Sequence, residues 1–398
     1  MIKKCIFASS EEKVYFCPEK PTKSMKPELI TVTTRRQLRE FIEFPVRLYK
    51  DEPNYVPALY SDEIEALTDK NPASPFCEKI LYLARIDGKT VGRVAGIINN
   101  KANARWGENV VRFGWIDFIN DIDVAGALIG AVAEWGKAKG MVKIKGPLGF
   151  TDMDKEGMLV EGFENLSPFT CIYNFAYYPE LLEKLGFTKD VDWTQKVMEI
   201  PTELPAMYSY CSLIESRFKV KVFQARSSRE LMRTKGRALF HVLNDSFAPL
   251  YEFSKLSEDQ IDRYLQQYGP AVNKDFVCVA ENEKGELVGF MITIPCISRH
   301  VRKSHGHLFP FGWYHILRGF ALKDVDELEA LMVGVLPEYQ GAGIPLLLAK
   351  YIHESCLKHG IKRILMNPQL EENYKVQSAF NQYKTEPYMR RRSYTKDL

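Results

Sequence analysis

The polar and apolar positions change period several times in the first 150 residues, and each change marks an element. From Thr34 the spacing Leu38, Phe41, Ile42 is helical, with Thr34 as the N-cap. A proline-containing loop, Asp51 to Pro57, leads to a second helix near Ser61–Leu67. Ile80–Ile86 and Thr90–Ile98 alternate with period two on either side of Asp87-Gly88, which predicts a tight hairpin. Arg112–Ile119 reads as a further strand. Asp123–Lys139 reads as a helix with Val124, Leu128, Val132 and Trp135 on one face and Gly140 as its C-cap. Val142–Lys145 is a strand ending at Gly146-Pro147.

The same order returns later. Phe276–Glu281 and Leu287–Ile294 flank a Lys284-Gly285 turn. A strand at Leu328–Leu336, a helix at Pro345–Lys358 with Gly360 as cap, and a strand at Ile361–Met366 follow. The recurrence of type, order and turn chemistry predicts an internal duplication whose second copy carries an insertion. Each copy is an α/β (α+β) unit, a mixed, mainly antiparallel sheet flanked by helices. The expected division is an N-terminal extension over 1–28, a first domain over 29–205 and a second over 206–398, with the linker at Pro201–Pro205. The extension admits two other readings, an ordered first strand and a true start at Met25.

Composition narrows the class. The chain has 398 residues, 45% hydrophobic and 26% charged, with a formal net charge of +3. This is globular, and so balanced a charge argues against nucleic acid as the main partner. Eight cysteines lie too far apart in sequence for a C-x-x-C pair and read as reduced thiols. With no apolar run of 18 residues and no signal peptide, the expectation is a cytoplasmic protein without a membrane span. Arg390-Arg391-Arg392 reads as a solvated strand edge or as a site for a phosphate or an acidic group.

The chemistry concentrates after the Leu328–Leu336 strand. Pro337-Glu338-Tyr339-Gln340-Gly341-Ala342-Gly343-Ile344 is a glycine-rich loop running straight into a helix. Such a loop leaves amide N–H groups unpaired at a positive helix end, where a phosphate binds well. Its spacing fits neither the P-loop nor the dinucleotide fingerprint. At the matching join of the first copy, Asn120-Asp121-Ile122-Asp123 has no Gly-x-Gly, and Asp123 is read as the N-cap.

Val333 to Ile344 resembles the acyl-CoA pyrophosphate loop of the GNAT N-acetyltransferase superfamily, Arg/Gln-x-x-Gly-x-Gly/Ala after a Val-x-Pro strand end. Gln340 and Gly343 match, and Pro345 stands at the last position. Phe44–Tyr49, Pro53–Pro57, Glu161–Phe163 and Tyr177–Pro179 are similar to segments of bacterial tandem-GNAT proteins of about this length, and bacterial ceramide synthases look like relatives. The resemblance implies transfer of an acyl group from acetyl-CoA or a longer acyl-CoA to a small-molecule or lipid amine, without a metal. It implies cofactor binding by Val333, Val335, Gln340, Gly341, Ala342, Gly343 and Ile344, with Gly334 permitting close approach and one cofactor site per chain. A leaving-group Tyr is usual seven residues after an Asn. Asn373 is such an Asn, but the seventh residue is Phe380, so Tyr383, three further on the same expected helix face, takes the acid role. Glu371 or Glu372 is the candidate base or amine-binding carboxylate. Two readings compete: a CoA-binding scaffold without turnover, and a fatty-acyl N-acyltransferase working on a lipid amine at a membrane surface.

Three further features are weighed. Asp152-x-Asp154-x-Glu156 lacks the twelfth-position Glu of a calcium loop and reads as a solvated loop or a surface that attracts a cationic amine. His300, His305, His307 and His315 lack a zinc spacing. Leu308-Phe309-Pro310-Phe311-Gly312-Trp313-Tyr314 is expected to plug the interface between copies, the alternatives being an acyl-channel wall and a membrane-facing surface.

Overall fold

The structure is a computed structural model that describes residues 26–269, 272–373 and 383–398. The first half runs β1 Glu28–Thr31, α1 Arg35–Leu48, α2 Tyr60–Leu67, β2 Cys77–Ile86, β3 Lys89–Asn99 and α3 Asn100–Trp106. It continues with β4 Val110–Phe118, α4 Ile122–Ala138, β5 Lys143–Gly146, β6 Met158–Glu161, α5 Tyr177–Lys184 and β7 Thr188–Glu199. The second half opens with α6 Cys211–Phe218, β8 Val220–Val222, α7 Ser228–Ser246, α8 Glu258–Tyr268, β9 Val277–Asn282 and β10 Leu287–Pro295. It closes with α9 Ser298–Ser304, α10 Gly312–Phe320, β11 Glu327–Val335, α11 Ile344–His359, β12 Arg363–Met366, β13 Gln369–Leu370 and β14 Thr385–Asp397.

The local signals act as their chemistry requires. Thr34 and Gln37 form a reciprocal capping box at α1. Asp87 and Gly88 both take positive φ, the geometry that twists a two-residue hairpin to match its strands. Gly92 on β3 leaves the space in which α4 lies down, since a Cβ there would sit 2.7 Å from Leu128 Cδ1. Val124, Leu128 and Val132 of α4 are fully buried on that sheet face, each contributing roughly 1.5–3 kcal/mol of burial. In the second half Leu347, Leu348 and Ile352 of α11 do the same, while α7 covers the opposite face with Leu239, Phe240 and Leu243. β1, which pairs antiparallel with β2, lies where the sequence suggests a boundary.

The strands form one continuous mixed sheet in the order β1-β2-β3-β4-β5-β14-β7-β12-β11-β10-β9-β8. Along this path only β4/β5 and β11/β12 are parallel, so each half has a single parallel contact. The two last strands are exchanged. β14 pairs with β5 of the first half, β7 pairs with β12 of the second, and β7 and β14 pair with each other with Arg391 opposite Trp193. Each half's sheet is therefore completed by a strand from the other half. The arginine run is not an edge: Arg391 is fully buried in the centre of this ladder, and Arg390 and Arg392 reach Asp192 at 3.2 and 2.8 Å.

Candidate functional site

β11 ends at Val335, and a short 3₁₀ turn, Pro337–Tyr339, leads to the glycine loop. Gly341 and Gly343 both adopt left-handed φ (+83° and +79°), which a side chain resists. Gly343 is the N-cap of α11, and no side chain caps this end. Gln340 and Ala342 donate their amides to Pro337 and Tyr339. Among the described residues the amides of Gly341, Gly343 and Ile344 carry no backbone hydrogen bond. Pro345, in the first turn, contributes no donor. The loop thus presents three N–H groups at the positive end of a 16-residue helix. Nothing lies within 4 Å of a Cβ built at Gly341, whereas one at Gly343 would meet Ile214 Cδ1 at 2.7 Å, so the open side is at Gly341.

Upstream, β11 and β12 stay paired from Glu327/Arg363 to Ala330/Met366 and then part. Leu331 is skipped in the β10 ladder, a bulge that bends β11 where the parting begins. Leu336 donates its amide to Val288 across that ladder. By alternation Val333 and Val335 turn their own N–H groups to the other edge, toward the parted strand. Gly334 serves packing, its missing Cβ leaving room for Phe290 Cε1 at 2.5 Å and Ser246 Oγ at 2.6 Å.

A narrow crevice at the parting, too small to hold a water molecule, is lined by Thr170, Gln195, Glu329, Leu331, Met366 and Asn367. Asn367 donates its side-chain amide to Leu331 O at 2.7 Å across the gap. Glu329 is 2% exposed, and burial pushes its carboxyl up to about 7. Hydroxyls of Thr170 (2.8 Å) and Ser298 (3.4 Å) donate to its two oxygens and oppose that shift. A carboxyl held near neutrality is suited to take a proton from an amine that reaches it. Sequence reasoning passed over Glu329. The available signal was a lone acid inside the apolar run Leu328–Val335. Thr170 and Gln195, from the first half, carried none.

The first half treats the same two places differently. α4 begins at Ile122 and is capped by Asp121, whose carboxylate accepts from the amides of Asp123 and Val124; Asp123, expected as the cap, lies inside the first turn. The parting of β4 and β5 is closed by backbone, as Leu148 donates to Phe113 O at 2.9 Å. The contact is tight, since a Cβ at Gly114 would fall 2.4 Å from Leu148 O.

The other sequence-derived candidates are dispersed. Glu371 lines an open cavity of about 520 Å³ with Glu161, Glu164 and Arg390, and is paired with Lys189 and with Arg390 at 3.2 Å. Asn373 donates its backbone amide to Leu370 O. Phe380 lies outside the described residues. Tyr383 occupies a bend before β14 and is buried in the cluster around α11; its hydroxyl is paired with that of Tyr208. Asp154 accepts from the Thr151 amide at 3.0 Å, closing a local turn. Among the described residues no group of His, Cys, Asp and Glu could hold a metal ion. In the segment expected to plug the interface, Leu308 packs inward, while Phe309, Phe311, Trp313 and Tyr314 are exposed.

No family model matches the chain. Among solved structures it is similar to a tandem GNAT protein from the clavulanic acid biosynthesis pathway, with a TM-score of 0.53 at 12% identity, covering 93% of this chain and 98% of that one. The fold is the tandem GNAT fold. Among curated proteins the chain is 28% identical over 375 residues to Protein YghO of Escherichia coli, covering 92% of this chain and 95% of the relative. It is 24% identical over 355 residues to the bacterial ceramide synthase of Caulobacter vibrioides, covering 87% and 91%. The structural likeness extends the tandem GNAT fold over 93% of this chain. No helix among the described residues is long and apolar enough to cross a membrane.

Proposed function

We propose that the chain is an acyl-CoA-dependent N-acyltransferase with one cofactor site, in the second half. The observation that carries this reading is the joining of an uncapped helix end to an open strand parting beside a buried carboxyl. The amides of Gly341, Gly343 and Ile344 would hold the pyrophosphate, and the N–H groups of Val333 and Val335 would face the pantetheine arm. The amine nitrogen attacks the thioester carbonyl, a C–N bond forms as the C–S bond breaks, and Glu329 takes the proton that the amine loses. Glu161 and Glu371 of the adjoining cavity are matched by Arg390, and Lys196 also lines it, so the charge of the lining selects no acceptor. The full-length likeness to a ceramide synthase favours a second reading, in which the acyl chain is long and the amine is a lipid.

Thermal stabilisation by CoA, acetyl-CoA and palmitoyl-CoA tests both. A ligand at about 100 times its dissociation constant adds roughly 2.7 kcal/mol. Gly341→Glu places a carboxylate at the open side of the loop and is expected to abolish that gain, while its own stability falls by about 1–2 kcal/mol because position 341 has left-handed φ. A preference for palmitoyl-CoA selects the second reading. Stabilisation without thioester consumption, over a panel of amines, would identify a CoA-binding scaffold instead. No stabilisation by any of the three would end the acyltransferase reading.

A further inference from the structure

The connection between β10 and β11 is the insertion carried by the second half, and it holds α9 and α10. Its inner side is anchored: Ile316 is buried with Ile297, Val301 and Val56, and the missing Cβ of Gly319 lets α10 approach Ile297 Cγ2, which a Cβ there would meet at 2.7 Å. Its outer side is apolar. Phe309 is 80% exposed, Phe311 73%, Leu317 58%, Tyr314 49% and Trp313 45%. These five, within nine residues, are over a third of the fourteen exposed large hydrophobic residues described, so this is a patch and not the usual scatter.

Charge selects the occupant. From Ser298 to Lys323 the chain has five Lys or Arg residues and no Asp or Glu. Arg299, Arg302, Lys303 and Lys323 are exposed, and Arg318 is tied to Asp324 at 2.7 Å. Exposed Phe, Trp, Tyr and Leu beside exposed cations such as Arg302 and Lys303 is the composition of a segment that lies in a lipid headgroup layer, the rings reaching the acyl boundary and the cations meeting anionic headgroups. The insertion also begins at the candidate site, since Ser298, the first residue of α9, donates to Glu329 at 3.4 Å. We infer that the α9–α10 insertion is a docking surface for an anionic bilayer, holding the crevice at the membrane face.

The full chain is sedimented with vesicles of pure phosphatidylcholine and with vesicles of equal parts phosphatidylcholine and phosphatidylglycerol. Binding to the anionic vesicles is expected to be at least about tenfold tighter and to weaken as salt is raised. The variant Phe309→Ser/Phe311→Ser/Leu317→Ser and, separately, Arg302→Gln/Lys303→Gln are each expected to lose about tenfold in partitioning while melting like the wild type. These side chains are exposed, and CoA stabilisation is measured in parallel, so docking and acyl transfer fail independently. Absence of vesicle binding, or a triple variant that binds as the wild type does, would overturn the inference. So would self-association in free solution that the triple variant abolishes, which would make the patch a contact between copies.

Discussion

The two strand partings use the same framework for opposite ends. In the first half, β4 and β5 diverge and the chain returns at once to seal the gap, Leu148 donating to Phe113 O. In the second, β11 and β12 diverge and, among the described residues, the side chain of Asn367 reaches across to Leu331. The following helices differ in the same sense, since the Asp121 carboxylate takes two amides of α4, whereas no side chain caps α11 and, among the described residues, the amide of Ile344 carries no backbone hydrogen bond. A site here is made by leaving backbone groups unmatched, and the sealed half shows the stable alternative. The sealed half also contributes to the open one, since Thr170 and Gln195 line the crevice and Thr170 holds Glu329.

The two partings differ most at Glu329, whose strand position in the sealed half is held by Arg112, paired there with the buried Glu252 at 2.5 Å. Glu329→Gln is expected to lower kcat by about 10²–10⁴-fold, with CoA stabilisation retained. In the wild type, activity should rise with pH through about 7, the value to which burial pushes this carboxyl. Stability moves the other way. The unfolded chain releases the proton near the ordinary value of 4.5 and the folded chain only near 7. The fold therefore loses up to roughly 3 kcal/mol across that window, and the loss is absent in the Gln variant. A pH series of urea melts on both proteins measures this. A flat wild-type profile would remove Glu329 from the proton's path.

The sealed parting should respond in stability and not in binding. Gly114→Ala forces a Cβ to 2.4 Å from Leu148 O and is expected to cost about 3 kcal/mol. Asp121→Ala uncaps α4 for about 1 kcal/mol. Neither should change the stabilisation that CoA adds, and a CoA effect that vanished in Asp121→Ala would put a cofactor site in the first half. Smallest is Tyr383→Phe. With its hydroxyl paired to Tyr208 inside the α11 cluster, removal is expected to cost about 1 kcal/mol and leave kcat within about threefold. A fall of 10²-fold or more would restore it as the leaving-group acid.

The sequence was legible where the signal is local. The hairpin at Asp87-Gly88, the helix begun by Thr34 and the glycine loop before α11 lie where period and turn chemistry put them. The cap of α4 was misread by two residues because Asp121 and Asp123 are equivalent donors of a capping oxygen until the backbone direction is known. Tyr383 was drawn from spacing along one expected helix after Asn373, and Glu371 from the polar run that follows a strand end. In the fold they belong to different surroundings, a packed aromatic cluster and a charged cavity rim.

Periodicity and turn residues by themselves determined the elements, their order and the loop with unpaired amides, because each depends on a few neighbouring side chains and on backbone sterics. Only the tertiary structure decided that the last strands are exchanged, that Arg391 is interior, and that one parting is open and the other sealed. It alone set a carboxyl beside hydroxyls from Thr170, 159 positions away, and Ser298, 31 away. Strand partnership and desolvation depend on what the rest of the chain excludes from a place, and no local window of sequence contains that information.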